Sequence, residues 1–98
     1  MEQEIMKKAP ERIYNSFSGR REKFRNCNAS VEYCDGYEIF WSYSTPVAVY
    51  DRELDRYFFT PKHNCSPTTC KQVLKWCGLC SAERQKQIKA GALCRINH

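Results

Sequence analysis

Residues 41–76 read WSYSTPVAVYDRELDRYFFTPKHNCSPTTCKQVLKW, and the local structure of this 98-residue chain is read outward from them. Pro46 has no N–H to give to a ladder, so it marks the start or the edge of a strand that runs over residues 47–51. Arg52-Glu53-Leu54-Asp55 is a polar turn, and residues 56–60 return as the next strand. Residues 60–64 read as loop. At Ser66-Pro67-Thr68-Thr69 the pattern becomes a helix start: the Ser66 hydroxyl can accept a free backbone N–H, and Pro67 stands in the first turn, where no donor is missed. Behind it Cys70, Val73, Leu74 and Cys77 fall at i, i+3, i+4 and i+7, the spacing of one buried stripe, while Lys71 and Lys75 point outward. Gly78 then suits a left-handed helix end.

Upstream, Val31 and Tyr33 alternate with Ser30 and Glu32, Asp35-Gly36 supplies the residues of a type I′ hairpin turn, and Tyr37, Ile39, Trp41 and Tyr43 line one face of the return strand. Phe40 points the other way and asks for a cover on that second face. Pro10, Ile13, Tyr14 and Phe17 predict a short amphipathic helix over residues 9–18, stopped by Gly19. Downstream, Ser81 can cap a polar helix over residues 82–90, and GALCRINH extends it or frays. The expected fold is α+β: an N-terminal helix, an antiparallel β-meander of about four strands, and one or two C-terminal helices packed on the sheet. Residues 1–98 make one small domain, with 1–8 and 92–98 frayed.

Hydrophobic residues at 42% and aromatic ones at 13% are those of a packed globule. The net charge of +5 is unevenly spread. Residues 7–25 set Lys7, Lys8, Arg12, Arg20, Arg21, Lys23 and Arg25 against Glu11 and Glu22. Residues 71–98 set Lys71, Lys75, Arg84, Lys86, Lys89 and Arg95 against Glu83, and the middle of the chain is mildly acidic. Two basic ends favour an anionic partner, a nucleic acid or an acidic protein face. Arg20, Arg21, Lys23, Arg25, Lys71, Lys75, Arg84 and Lys86 are the residues expected to meet it, since guanidinium groups bind phosphate oxygens bidentately. No stretch approaches the roughly 20 apolar residues of a membrane span, and MEQEIMKKAPER lacks an apolar signal core, so the chain is expected in the cytoplasm.

In that compartment the seven cysteines, an odd count, read as free thiols or a metal site instead of a disulfide framework. Cys77-Gly78-Leu79-Cys80 has the spacing of a zinc knuckle, and Cys65, His63, Cys70, Cys94 and His98 are the candidate further ligands. No second C-x2-C or H-x3-H pair completes the set, and Cys70 and Cys77 sit on the apolar stripe, where cysteine packs as a small hydrophobe. No cofactor is therefore expected, with zinc on Cys65, Cys77, Cys80 and Cys94 as the alternative. A thioredoxin-like role for Cys77 and Cys80 fails because that motif belongs at a helix start.

The stretch SYSTPVAVYD at residues 42–51, followed by SPTTCKQ at 66–72, resembles a small uncharacterised domain found in many phage and prokaryotic proteins. Its pattern is a Ser-Tyr-x-Thr-Pro-Val-Ala strand and then a Ser-x-Thr-Thr helix start with His or Gln three residues on. The matching positions are Ser42, Tyr43, Thr45, Pro46, Val47 and Ala48, then Ser66, Thr68, Thr69 and Gln72, about the central third of the chain. The resemblance implies a viral or mobile-element origin and no settled activity. Tyr43, Ser44, Thr45, Thr68, Thr69 and Gln72 would form a polar site if they converged at the helix N-terminus, whose free N–H groups attract phosphate or carboxylate. The competing account is that these hydroxyls only cap the helix and tie the loop to the strand.

His63 and Cys65 lie two apart in a loop, and no P-loop, G-x-G-x-x-G or acid cluster is present, so no enzyme is expected. The expected function is that of a small phage or mobile-element protein that engages and inhibits or modulates a host protein or nucleoprotein complex, such as a defence nuclease targeted by an anti-CRISPR. The alternative is direct nucleic-acid binding through the basic ends, with Tyr50, Tyr57 or Phe59 stacking on bases. It depends on whether the two basic ends share one face.

Overall fold

The computed structural model describes residues 11–17, 20–25 and 27–98. Strands β1 (Arg12–Asn15), β2 (Arg21–Lys23), β3 (Ala29–Cys34), β4 (Tyr37–Ser42), β5 (Thr45–Asp51) and β6 (Arg56–Phe59) come first. Helices α1 (Pro67–Cys77) and α2 (Ser81–Lys89) follow, and β7 (Cys94–Asn97) closes the chain. A five-stranded antiparallel sheet in the order β2-β3-β4-β5-β6 carries the fold, and β1 pairs with β7 in a separate two-stranded parallel sheet. The molecule is thus mostly β, with both helices after the six strands, and the expected α+β fold with an N-terminal helix is overturned. Residues 9, 10, 18 and 19 of that helix, and the expectation that 1–8 fray, lie outside the described residues; the centre of the expected helix is β1. The apolar spacing misled because only Tyr14 is buried, while Ile13 and Phe17 stand 55% and 67% exposed. What makes the segment a strand is a partner far along the chain: Arg12 lies opposite Cys94 and Asn15 opposite Asn97. The tail 92–98 neither frays nor extends α2, because Gly91 turns the chain at φ 105° and Ala92, Cys94 and Ile96 are buried.

The meander forms as the alternation predicts, with two local differences. At the β3–β4 hairpin Gly36 takes φ 84° and Asp35 keeps a negative φ, so the turn is not type I′. Strand β4 ends at Ser42, and Tyr43, exposed at φ 56°, occupies the turn into β5. Phe40 faces Ala48 and Trp41 faces Pro46, so Val47 is the extra residue of a bulge. That bulge lets Val47 and Ala48 both enter the core.

Both faces of the sheet are covered. One packs Ile39, Trp41, Val49 and Phe58 against Tyr14, Ala92, Cys94 and Ile96 of the parallel layer. The other packs Val31, Phe40, Val47, Ala48 and Phe59 against Val73, Trp76 and Ile88 of the helices. Half-buried Trp76 stacks on Phe40 with ring centroids 4.8 Å apart, and a fully buried side chain such as Phe40 stabilises the fold by about 1.5–3 kcal/mol. Two hydrogen-bonded anchors hold the parallel layer. The Tyr14 hydroxyl donates to Asp51 at 2.8 Å, and the buried Glu32 carboxylate accepts from Ser16 Oγ, the Phe17 N–H and Trp41 Nε1 at 2.8–3.0 Å. Helix α1 starts as its cap predicts, with Ser66 Oγ accepting from the Thr69 N–H at 3.1 Å, and ends at Gly78, whose N–H reaches Leu74 O at φ 78°. Its buried face is rotated from the expected stripe. Thr69, Gln72 and Val73 are inside, Cys70 and Cys77 are half-buried, and Leu74 is exposed.

Candidate functional site

The polar motif residues divide. Ser42 Oγ donates to Gln72 Oε1 at 2.7 Å and shares a hydrogen bond with Thr69 Oγ1 at 2.9 Å, all three side chains being buried. This clamp ties the end of β4 to the first turns of α1 and uses the polar atoms an anion site would need. Thr69 also bonds the capping Ser66 hydroxyl at 3.1 Å. Tyr43, Ser44 and Thr68 are exposed elsewhere, and Thr45 belongs to a groove described below. Tyr43, Thr45, Thr68, Thr69 and Gln72 are therefore not one site; two of them, with Ser42, are the tie between loop and strand.

The basic residues divide as well. In β2, Arg21 pairs with Glu32 and Lys23 with Ser30, and the Arg21 guanidinium lies 3.9 Å from the centre of the Trp41 ring, on the face covered by the parallel layer. His98 meets the same indole edge-on at 5.5 Å, so the first basic run and the end of the chain do meet there. Arg20 and Arg25 are exposed beside β2. Lys71, Lys75 and Lys86 are exposed on the helices, which cover the opposite face. Arg84 is not a surface cation: it is fully buried, and its guanidinium donates to His63 Nδ1 at 2.9 Å, Leu79 O at 2.6 Å and Cys70 Sγ at 3.0 Å. Burial and the neighbouring guanidinium lower the His63 pKa, which keeps the imidazole neutral with Nδ1 free to accept. Of the aromatics expected to stack on bases, Phe59 is fully buried and half-buried Tyr57 packs edge-on against Trp76, while Tyr50 stays half-exposed with its hydroxyl donating to Asp55.

Among the described residues the C-x2-C pair gathers no further ligands: no three His, Cys, Asp or Glu side chains stand close enough to hold a metal. Cys65 and Cys80 are exposed, and the Cys77 sulfur accepts from the Leu79 N–H at 3.4 Å. Cys94 lies in the core under the parallel layer, where burial pushes its thiol up to about 12.

A groove of about 550 Å³ lies beside β7. Thr45 and Pro46 form one side with Thr60, Pro61 and Lys62, and β7 forms the other with Cys94, Arg95 and Ile96. Its rim carries the cations Lys62 and Arg95 beside the His98 ring, and Glu11 reaches in to pair with Arg95 at 3.4 Å. Lys62 has no acid partner among the described residues. Sequence reasoning had Thr45 of this set as a polar-site residue and Cys94 and His98 as candidate metal ligands, and it did not single out Lys62, Arg95 or Glu11; the signal was Cys94 and Ile96 alternating with polar residues in the tail, a strand pattern. No helix among the described residues is long and apolar enough to cross a membrane.

Residues 12–91 match the model of a family of unknown function, DUF8033, and the chain belongs to that family. No curated protein and no solved structure matches it.

Proposed function

We propose that this member of the DUF8033 family is a non-catalytic binding protein whose groove beside β7 engages a host protein or nucleoprotein complex and modulates or inhibits it. The observation that carries this is the make-up of the groove: apolar Pro46 and Ile96 under a rim of Lys62, Arg95 and His98, with its one thiol, Cys94, kept protonated by burial. Such a surface binds through shape and charge and offers no activated nucleophile. A phage or mobile-element source, and a defence nuclease as the target, rest on the resemblance of residues 42–51 and 66–72 alone. Affinity capture from host lysate with the wild-type chain and a Lys62→Glu/Arg95→Glu variant, with and without nuclease, tests the proposal. A partner held by the wild type, lost by the variant and indifferent to nuclease is the expected result. Equal capture by both removes the groove from the function.

A second reading, direct nucleic-acid binding, is favoured by the meeting of Arg21, Trp41 and His98. It requires affinity to fall by roughly 0.7–0.9 log units per log unit of salt for each phosphate neutralised. The helical lysines on the far face would add nothing to such a slope, so Lys71→Ala and Lys75→Ala should leave it unchanged while Arg21→Ala reduces it.

A further inference from the structure

We propose that the groove takes an extended acidic segment of the partner protein as an added strand on the free edge of β7, which rests on the protein-partner reading above. The hydrogen bonds at the two ends of the parallel pair fix which way the β7 backbone faces. Arg12 N–H donates to Leu93 O and Ser16 N–H to Asn97 O, so Leu93, Arg95 and Asn97 turn their peptide groups toward β1. The peptide groups of Cys94, Ile96 and His98 then face the groove. At the start of β7 that second edge is occupied, because Phe59 N–H donates to Ala92 O at 2.8 Å and Phe59 bridges Leu93 in parallel. Past Phe59 the occupant leaves. Thr60 stays with β5 through its N–H to Val47 O, Pro61 has no N–H to offer, and the chain turns away over residues 61–64. The place β6 vacates is the groove.

The edges of β1 and β2 are closed. That of β1 is capped where the Tyr37 hydroxyl donates to Asn15 O at 2.7 Å and accepts from its N–H at 3.3 Å. That of β2 is three residues long and wholly charged, a common way of discouraging pairing. The β7 edge joins peptide groups that have no strand partner past Phe59 to a concave floor.

Charge specifies the occupant. A strand beside β7 alternates its side chains between the floor and the outer surface where Arg95 stands, so apolar residues would lie over Pro46 and Ile96 and acids beside Arg95. Glu11 already sets a carboxylate against Arg95, and Lys62 adds a second cation to the rim. Backbone pairing gives such a complex its affinity and the alternate side chains its specificity.

The test uses the full chain labelled with ¹⁵N and a short blocked peptide alternating Val and Glu. The expected results are fast hydrogen exchange at the Ile96 amide in the free protein, its protection on adding the peptide, and shifts centred on Ile96, His98 and Lys62. The same peptide N-methylated at alternate amides should not bind. Lys62→Glu/Arg95→Glu should weaken binding by about tenfold or more. An Ile96 amide already protected in the free chain overturns the proposal, as does equal binding of the N-methylated peptide or of one carrying Lys for Glu. Oligothymidylate occupying the groove while the peptide does not bind overturns it in favour of a phosphate ligand. If the peptide fails while lysate capture still depends on Lys62 and Arg95, strand addition alone is lost; if both fail, the protein-partner reading falls with it.

Discussion

Arg84 holds the corner where α1 meets α2 by placing a buried cation among three acceptors, His63 Nδ1, Leu79 O and Cys70 Sγ. Replacing it by Met should cost about 2–4 kcal/mol in denaturant unfolding, since several buried acceptors lose their donor at once. His63 makes the corner sensitive to acid. Its folded pKa lies below the unfolded value near 6.5, so the unfolded chain binds the extra proton first as pH falls. The stabilisation is complete above about pH 6.5 and is lost as pH drops through that value toward the lowered one. Unfolding midpoints at pH 7.5 and 5.5 should differ in the wild type and converge in His63→Gln. Thiol reactivity follows burial in the same way. Cys34 and Cys94 are pushed up to about 11 and about 12, so iodoacetamide at pH 8 should label exposed Cys65 and Cys80 first and reach Cys94 only after denaturation, as read by mass spectrometry. None of this corner was legible in the sequence. Arg84 stands in a polar helix like any exposed cation, and its acceptors come from positions 63, 70 and 79, which no periodicity links.

At the scale of elements, the clamp between β4 and α1 has a measurable signature. Ser42→Ala and Gln72→Leu, singly and together, should give a coupling energy of about 0.5–3 kcal/mol in thermal or denaturant unfolding, because each hydroxyl or amide satisfies the other. The elements read correctly from the sequence are those whose instructions lie within a few residues. Gly36 makes its hairpin, and Ser66, Pro67 and Gly78 bound α1 where their caps require. The helix face was misread by one position because hydrophobicity alone set the stripe, and Ser42 draws polar Thr69 and Gln72 inward instead. Segment β1 was misread entirely. A four-residue strand carries too little pattern to distinguish it from a helical turn, and the pairing that decides it joins residues 12–15 to 94–97.

For the whole molecule the same pairing makes the tail indispensable. Removing residues 92–98 would uncover Tyr14, Ile39 and Phe58 and take Cys94 and Ile96 out of the core. The truncated chain should lose its cooperative thermal transition, whereas a tail that merely frayed would leave it intact. The groove was illegible for a related reason: its walls come from the start of β5, the turn after β6 and β7, three places that only the completed fold brings together. The parallel alignment of β1 and β7 also governs how the protein bears load. Tension applied ahead of β1 and beyond β7 draws the two strands past each other along their axes, so every bond of that ladder resists together and none is peeled first. Pulled by handles at positions 11 and 98, the molecule should yield at one sharp, high force peak, as a lap joint does in shear, and the same chain gripped across its β3–β4 hairpin should unzip at a much lower force.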